Sequence, residues 1–239
     1  MALYTPRERI RLRLRDLEHR PMPDWARAWL TARLPDPYRF DLAPDRAQPL
    51  IFLHVPKAAG TSLAEALGWK YGHVPASRYR IADPVRFDRA LRVGFVRNPW
   101  TRLASAFHYL HSAIGINASP DVRWATDNLA QYPDFTSFVM ALESDRIWNS
   151  IRLYPHFRAQ MDWISLPRDS AHCLHFLGRF ETLEQDVHTL FQQLGIAQPL
   201  NHLRRPQRPG AGPHWTPQMI EIVRHRYARD VQTLGYAAP

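Results

Sequence analysis

Pro49 to Ser62 reads PLIFLHVPKAAGTS, and the fold follows from how this stretch is parsed. Leu50, Ile51, Phe52, Leu53 and Val55 form a nearly continuous apolar run, the pattern of a strand covered on both faces. Pro56 ends it. Ala58, Ala59 and Gly60 carry almost no side chain, so backbone N–H groups can close on a ligand there. Thr61 and Ser62 then open a helix, TSLAEALGW. A strand that feeds a small-residue loop and a helix N-terminus is suited to an anion, because unpaired N–H groups and the helix dipole converge on one spot. Lys57 adds a mobile positive charge. In the common phosphate loop, Gly-Lys directly precedes Ser or Thr; here the lysine stands four residues ahead of Thr61. Alone, the stretch fits either an anion site or a strand–turn–helix with a solvated lysine.

A second stretch decides between them. Leu91 to Phe107 reads LRVGFVRNPWTRLASAF. Val93 to Val96 is another short apolar strand, Asn98 is a good N-cap, and Pro99 suits the first position of the following helix. Arg97 therefore stands at the C-terminal end of a strand, where open α/β sheets bind their ligands. Ser105 lies two turns into the helix. An arginine fork grips phosphate bidentately, which a lysine cannot do.

In order, PKxxGTS and RNPxxRxxSxF resemble the 5′-phosphosulfate loop and the 3′-phosphate motif of sulfotransferases that use 3′-phosphoadenosine 5′-phosphosulfate (PAPS). The carbohydrate-type branch is the nearest. The resemblance covers roughly Leu50 to Gly195. Gly178 to Ile196 looks like the family's late strand-and-helix segment, and Tyr227 to Tyr236 like its closing helix. The resemblance implies an α/β, P-loop NTPase-like sulfotransferase fold, a central parallel sheet flanked by helices, over residues 49–239. It implies PAPS as donor, a hydroxyl acceptor with a saccharide favoured, no nucleic-acid partner and no metal. Lys57, Ala58, Ala59, Gly60, Thr61 and Ser62 would hold the 5′-phosphosulfate. Arg97 and Ser105 would hold the 3′-phosphate, and Lys57 would also act in catalysis. In such enzymes the base commonly falls between the two motifs, near the end of a second strand. His73 is the candidate there, with His54, His108 and His111 as rivals; an imidazole accepts a proton near neutral pH.

Composition bounds the alternatives. The chain has 239 residues, 45% of them hydrophobic, and a net charge of +9. That suffices for one α/β domain with extensions, and the charge calls for an anionic partner of some kind. A nucleotide kinase or NTPase would share the fold's ancestry, but it needs Mg²⁺ and a Gly-Lys-Ser/Thr order absent here. A non-catalytic module for anionic polymers would account for the charge and not for the two motifs. The single cysteine, Cys173, allows no intramolecular disulfide and reads as a small buried hydrophobe. The N-terminal residues show neither a signal-type apolar core nor a membrane span. A soluble, cytoplasmic, bacterial enzyme is the simplest expectation.

The remaining stretches carry less. Residues 1–48 read as a helical N-terminal extension with basic amphipathic character, Arg7 to Arg20 and Asp24 to Leu34, suited either to packing on the domain or a second subunit or to binding a membrane or anionic polymer. Pro75 to Asp88 reads as a loop with a short helix. Between Ser112 and Leu166, Trp124, Tyr132, Phe135, Trp148, Tyr154, Phe157 and Trp163 alternate with arginines, a pattern that fits sugar platforms and a helical core alike. Asp134 caps a helix. His172 to Leu177 reads as a strand, Thr182 and Gln185 as a capping box for a helix that Gly195 ends. The Asn201 to His214 loop offers Arg204, Arg205 and Arg208 to the 3′-phosphate. Thr216 and Pro217 begin the last helix.

Overall fold

The computed structural model describes residues 49–69, 72–116, 119–196 and 213–239. The expected extension 1–48 and the arginines of the 201–214 loop lie outside them.

Three strands, β1 (Leu50–Leu53), β2 (Leu91–Val96) and β3 (Phe176–Arg179), form a parallel sheet in the order β1-β2-β3. Leu50 pairs with Leu91, and Val93 with Phe176. Parallel neighbours need crossover connections, and the chain supplies helices for both. The first crossover carries α1 (Gly60–Ala66), α2 (Ala76–Ala82) and α3 (Pro84–Arg89). The second carries α4 (Pro99–His111), α5 (Pro120–Leu129), α6 (Phe135–Ala141), α7 (Asp145–Ile151) and the one-turn α8 (Met161–Ile164). After β3 come a 3₁₀ turn (Phe180–Thr182), α9 (Leu183–Leu194), α10 (Pro217–Arg226) and α11 (Ala228–Leu234).

Alternation along the strands explains the unbroken apolar run. Leu50 and Phe52, with Val93 and Phe95, pack against Leu63 of α1 and Val187, Leu190 and Phe191 of α9. Ile51 and Leu53 point the other way, into a cluster with Tyr79, Phe87, Met161 and Trp163. Both faces of the sheet are covered, so both registers must be apolar. A third cluster joins α4, α5, α6 and α10 through Leu103, Phe107, Leu129, Phe138 and Val223. Most of the aromatics between Ser112 and Leu166 belong to it. Trp124, for example, lies flat on Tyr154 with ring centroids 3.6 Å apart. The helical-core reading holds for them.

Local punctuation matches the sequence at several ends. Asn98 accepts from the N–H groups of Trp100 and Thr101 with Pro99 at the first helical position. Asp134 and Ser137 form a capping box, Thr216 caps α10 ahead of Pro217, and Gly195 closes α9 in the left-handed conformation. Other expectations are corrected. The third strand begins at Phe176 rather than His172, because the Cys173 N–H goes to Ile164 O and pairing with β2 starts later. Thr182 caps nothing with its side chain: the 3₁₀ turn leaves it at φ −117, ψ 30. Its hydroxyl donates to Asp186, which also accepts the Arg179 N–H. The last helix is broken at Tyr227, whose buried hydroxyl donates to Phe157 O. Cys173 is partly buried, and that burial raises its thiol pKa.

Candidate functional site

The two quoted stretches end side by side, since β1 and β2 are neighbours and parallel. The loop after β1 is tightly wound. Lys57 and Ala59 both take positive φ, 66° and 63°, a conformation that costs an L residue of order 1–3 kcal/mol and persists only where packing enforces it. Ala58 has no exposed surface. Gly60 is required by a neighbour: a Cβ there would lie 1.8 Å from the His54 ring. His54 thus underlies the loop from within the chain, stacked on Phe52 at 5.6 Å. Thr61 is exposed and Ser62 half-buried on the first turn of α1.

Arg97 is fixed at the end of β2 by two long-range pairings. The side-chain amide of Gln160 accepts the Arg97 N–H at 2.8 Å and donates to its carbonyl at 2.7 Å, acting like one further residue of sheet. Gln160 is itself anchored, since fully buried Asp230 accepts from its N–H (2.7 Å) and from that of Met161 (2.9 Å). The guanidinium of Arg97 lies 4.0 Å from the Phe180 ring centroid, a cation–π distance, and its Nε donates to Thr101 Oγ1 at 3.1 Å.

Thr101, Ser105 and Tyr109 are four residues apart on α4 and share one face. Arg97 holds the Thr101 end. At the other end the Lys57 ammonium sits 3.9 Å above the Tyr109 ring. About 12 Å of helix separates Thr101 from Tyr109, with half-buried Ser105 midway. A third cation lies beneath. Arg102 is 1% exposed, its Nε donates to Pro56 O at 2.9 Å, and among the described residues its buried Nη2 has no hydrogen-bond partner. Burial and mutual repulsion push these groups down: Lys57 to about 8, with Arg97 and Arg102 contributing, and Arg97 to about 10. Like charges compressed beside an orphaned buried donor are suited to an anion.

His73 stands beside this row. Of the short strand or loop expected at Trp69 to His73, the described residues Trp69, Gly72 and His73 belong to no strand, and Gly72 to Pro75 form the loop that leads into α2. Val74 and Ala76, both buried, anchor that loop in the core. The His73 Nδ1 pairs with His54 O at 2.9 Å. A carbonyl can only accept, so Nδ1 carries the proton and Nε2 the basic lone pair. The rivals are placed otherwise. His54 is covered by Gly60, and burial holds it down at about 4. His111 stacks on Phe107 and pairs with Tyr132 O. His108 is exposed, against Phe135.

A family model described as the sulfotransferase family matches residues 39–237, most of the chain. The chain belongs to the sulfotransferase family. No curated protein and no solved structure matches it.

In this sulfotransferase, Gln160, Asp230 and Arg102 are residues that sequence reasoning did not single out. Arg102 was visible as the second arginine of RNPxxRxxSxF, and Gln160 lies in HFRAQMDWIS, but neither pattern tells which way the side chain turns. Among the described residues there is no group of three His, Cys, Asp or Glu able to hold a metal ion, and no helix long and apolar enough to cross a membrane.

The buried His54 makes stability pH-dependent. Its folded pKa, about 4, lies below the ordinary 6.5. The unfolded chain therefore binds the extra proton first as pH falls, and stability is lost between about pH 6.5 and 4, by about 3 kcal/mol in all. In denaturant titrations, His54→Gln is expected to lose less stability than wild type across this window. Equal losses would show that His54 does not titrate as described.

Proposed function

We propose that the protein transfers a sulfuryl group from PAPS to an acceptor hydroxyl, on a saccharide or saccharide-containing metabolite. The observation that carries this is the placement of Lys57 and Arg97 at the ends of adjacent parallel strands, along the Thr101–Ser105–Tyr109 face, with Arg102 buried beneath. Arg97 and Ser105 would take the 3′-phosphate. Lys57 and the backbone N–H groups of Ala58 to Ser62 would take the 5′-phosphosulfate.

In the transfer the acceptor oxygen bonds to sulfur, and the bond from sulfur to the 5′-phosphate oxygen breaks. The acceptor proton passes to His73 Nε2, and adenosine 3′,5′-bisphosphate leaves with the charge that Lys57 stabilises. By analogy with phosphoryl transfer, such chemistry asks for in-line positioning and charge stabilisation. Residues 1–48 would form a separate helical extension that packs on the domain or on a second copy, and the enzyme would act in the cytoplasm.

The test is ligand preference. Adenosine 3′,5′-bisphosphate is expected to bind far better than AMP or ATP. At 100-fold excess over Kd it adds about 2.7 kcal/mol, or roughly 5–10 °C in Tm at this size. Arg97→Ala should erase most of the difference, since a bidentate charged contact is lost. Equal shifts with AMP in the wild type would overturn the reading, as would turnover lost with EDTA and restored by Mg²⁺.

A further inference from the structure

Asp121 lies behind the Lys57 end of the site, and the transfer reading gives it no role. It is the second residue of α5, which Ser119 caps. Its carboxylate lies near three side chains from two other segments. Tyr154 donates its hydroxyl to Oδ1 at 2.5 Å and His156 Nε2 lies 3.4 Å from Oδ2, while burial and the nearby Asp121 together raise the pKa of the Tyr109 hydroxyl. Tyr109 is the residue whose ring carries the Lys57 ammonium. His156 is 7% exposed, its ring 5.1 Å from that of Tyr109 and 6.1 Å from that of His73. One carboxylate thus contacts Tyr154 and His156, and the His156 ring in turn lies beside Tyr109, over which the lysine sits.

The charges around Lys57 make this placement matter. Arg97 and Arg102 repel it, His156 would repel it if protonated, and burial disfavours its charged form. Among the described residues, Asp121 is the one named charge acting on Lys57 that favours the ammonium. The Tyr109 ring adds its negative face, and a carboxylate near the hydroxyl edge makes that face more electron-rich. Without these two the lysine would stand among cations in a dry corner, where an amine loses its proton.

We propose that Asp121 is a positioning residue for the transfer step: through the Tyr109 ring it keeps Lys57 seated and charged where the developing negative charge of the leaving phosphate needs it. The consequence for rate rests on the sulfuryl-transfer reading, whereas the state of Lys57 does not.

The experiment is therefore in two parts. Competitive labelling with a trace amine-acylating reagent, followed across neutral to alkaline pH by mass spectrometry of the Lys57 peptide, gives the titration midpoint of that one amine. In wild type it is expected at about 8. Asp121→Asn keeps the shape and removes the charge, and should lower the midpoint, since it takes away a charge that favours the ammonium. Each unit of fall from a midpoint of about 8 would cut the charged fraction at pH 8 about fivefold or more. Asp121→Glu should restore most of it. Tyr109→Leu is the safeguard against misfolding, since Tyr109 is 46% exposed; it should lower the midpoint by a smaller amount. A midpoint unmoved in folded Asp121→Asn, or raised in Tyr109→Leu, overturns the proposal. In the second part, the alkaline limb of the pH–rate profile should move down with the labelling midpoint in Asp121→Asn. A midpoint that falls while the limb stays fixed refutes the role in transfer. Absence of any sulfuryl transfer by wild type, with the labelling result intact, condemns the function reading and not the Asp121–Lys57 coupling.

Discussion

His73→Ala is expected to lower kcat by about 10²–10⁴, the range for loss of a positioned base, and to leave adenosine 3′,5′-bisphosphate binding near wild type. The separation of effects comes from placement. His73 lies in the loop before α2, with its Nδ1 committed to His54 O; the proposed nucleotide contacts lie on the β1 loop and along α4. The imidazole must be neutral to accept the acceptor's proton, so the wild-type rate should rise with pH on the acidic side, and the variant should lose that acidic limb. His54 cannot stand in as the base, because Gly60 covers its ring and burial holds it at about 4. Turnover within a few-fold of wild type in His73→Ala would place the base elsewhere, with the carboxylates of Pro75 to Asp88 next to test. Loss of nucleotide binding along with rate would make His73 a structural prop of the loop.

What could be read from the sequence was whatever depends on neighbours in the chain. The strand from Leu50, the strand ending at Val96, the Asn98–Pro99 start of α4, the Asp134 cap and the Gly195 stop each involve residues within one turn or one strand of each other. The loop that opens α1 was legible as small residues, although the close approach at Gly60 is to the His54 ring. Contacts across the fold left no local signal. Gln160 completes the Arg97 backbone from 63 positions away, and Asp230 holds Gln160 from 70. The Arg102 side chain turns under Pro56 rather than outward, a choice set by the packing of α4 against the loop. The Thr182–Gln185 box failed for a related reason: pairing of β3 with β2 brings the Arg179 N–H to Asp186, and the 3₁₀ turn that follows removes the extended geometry a cap needs.

Lys57→Met is expected to lower kcat by about 10²–10³, the cost of removing one preorganised group from a site of developing negative charge. Methionine keeps much of the stem over Tyr109 and discards the ammonium, so the loss measures charge and not packing. The lysine's own titration supplies a second reading of the same role. Its pKa is pushed down to about 8 by burial and by Arg97 and Arg102. The ammonium is therefore present below about pH 8 and lost as pH rises through it, and the wild-type rate should fall on that side. Together with the His73 limb this makes the profile bell-shaped. Lys57→Arg separates the two demands on this position. A guanidinium stays charged throughout the range, so the alkaline limb should vanish; its charge is spread over a planar fork and is not the compact point charge of an ammonium, so the maximum rate should remain below wild type. An alkaline limb that survives in Lys57→Arg would assign that titration to another group. A full rate in Lys57→Met would remove Lys57 from the chemistry and leave the row of cations as a binding surface only.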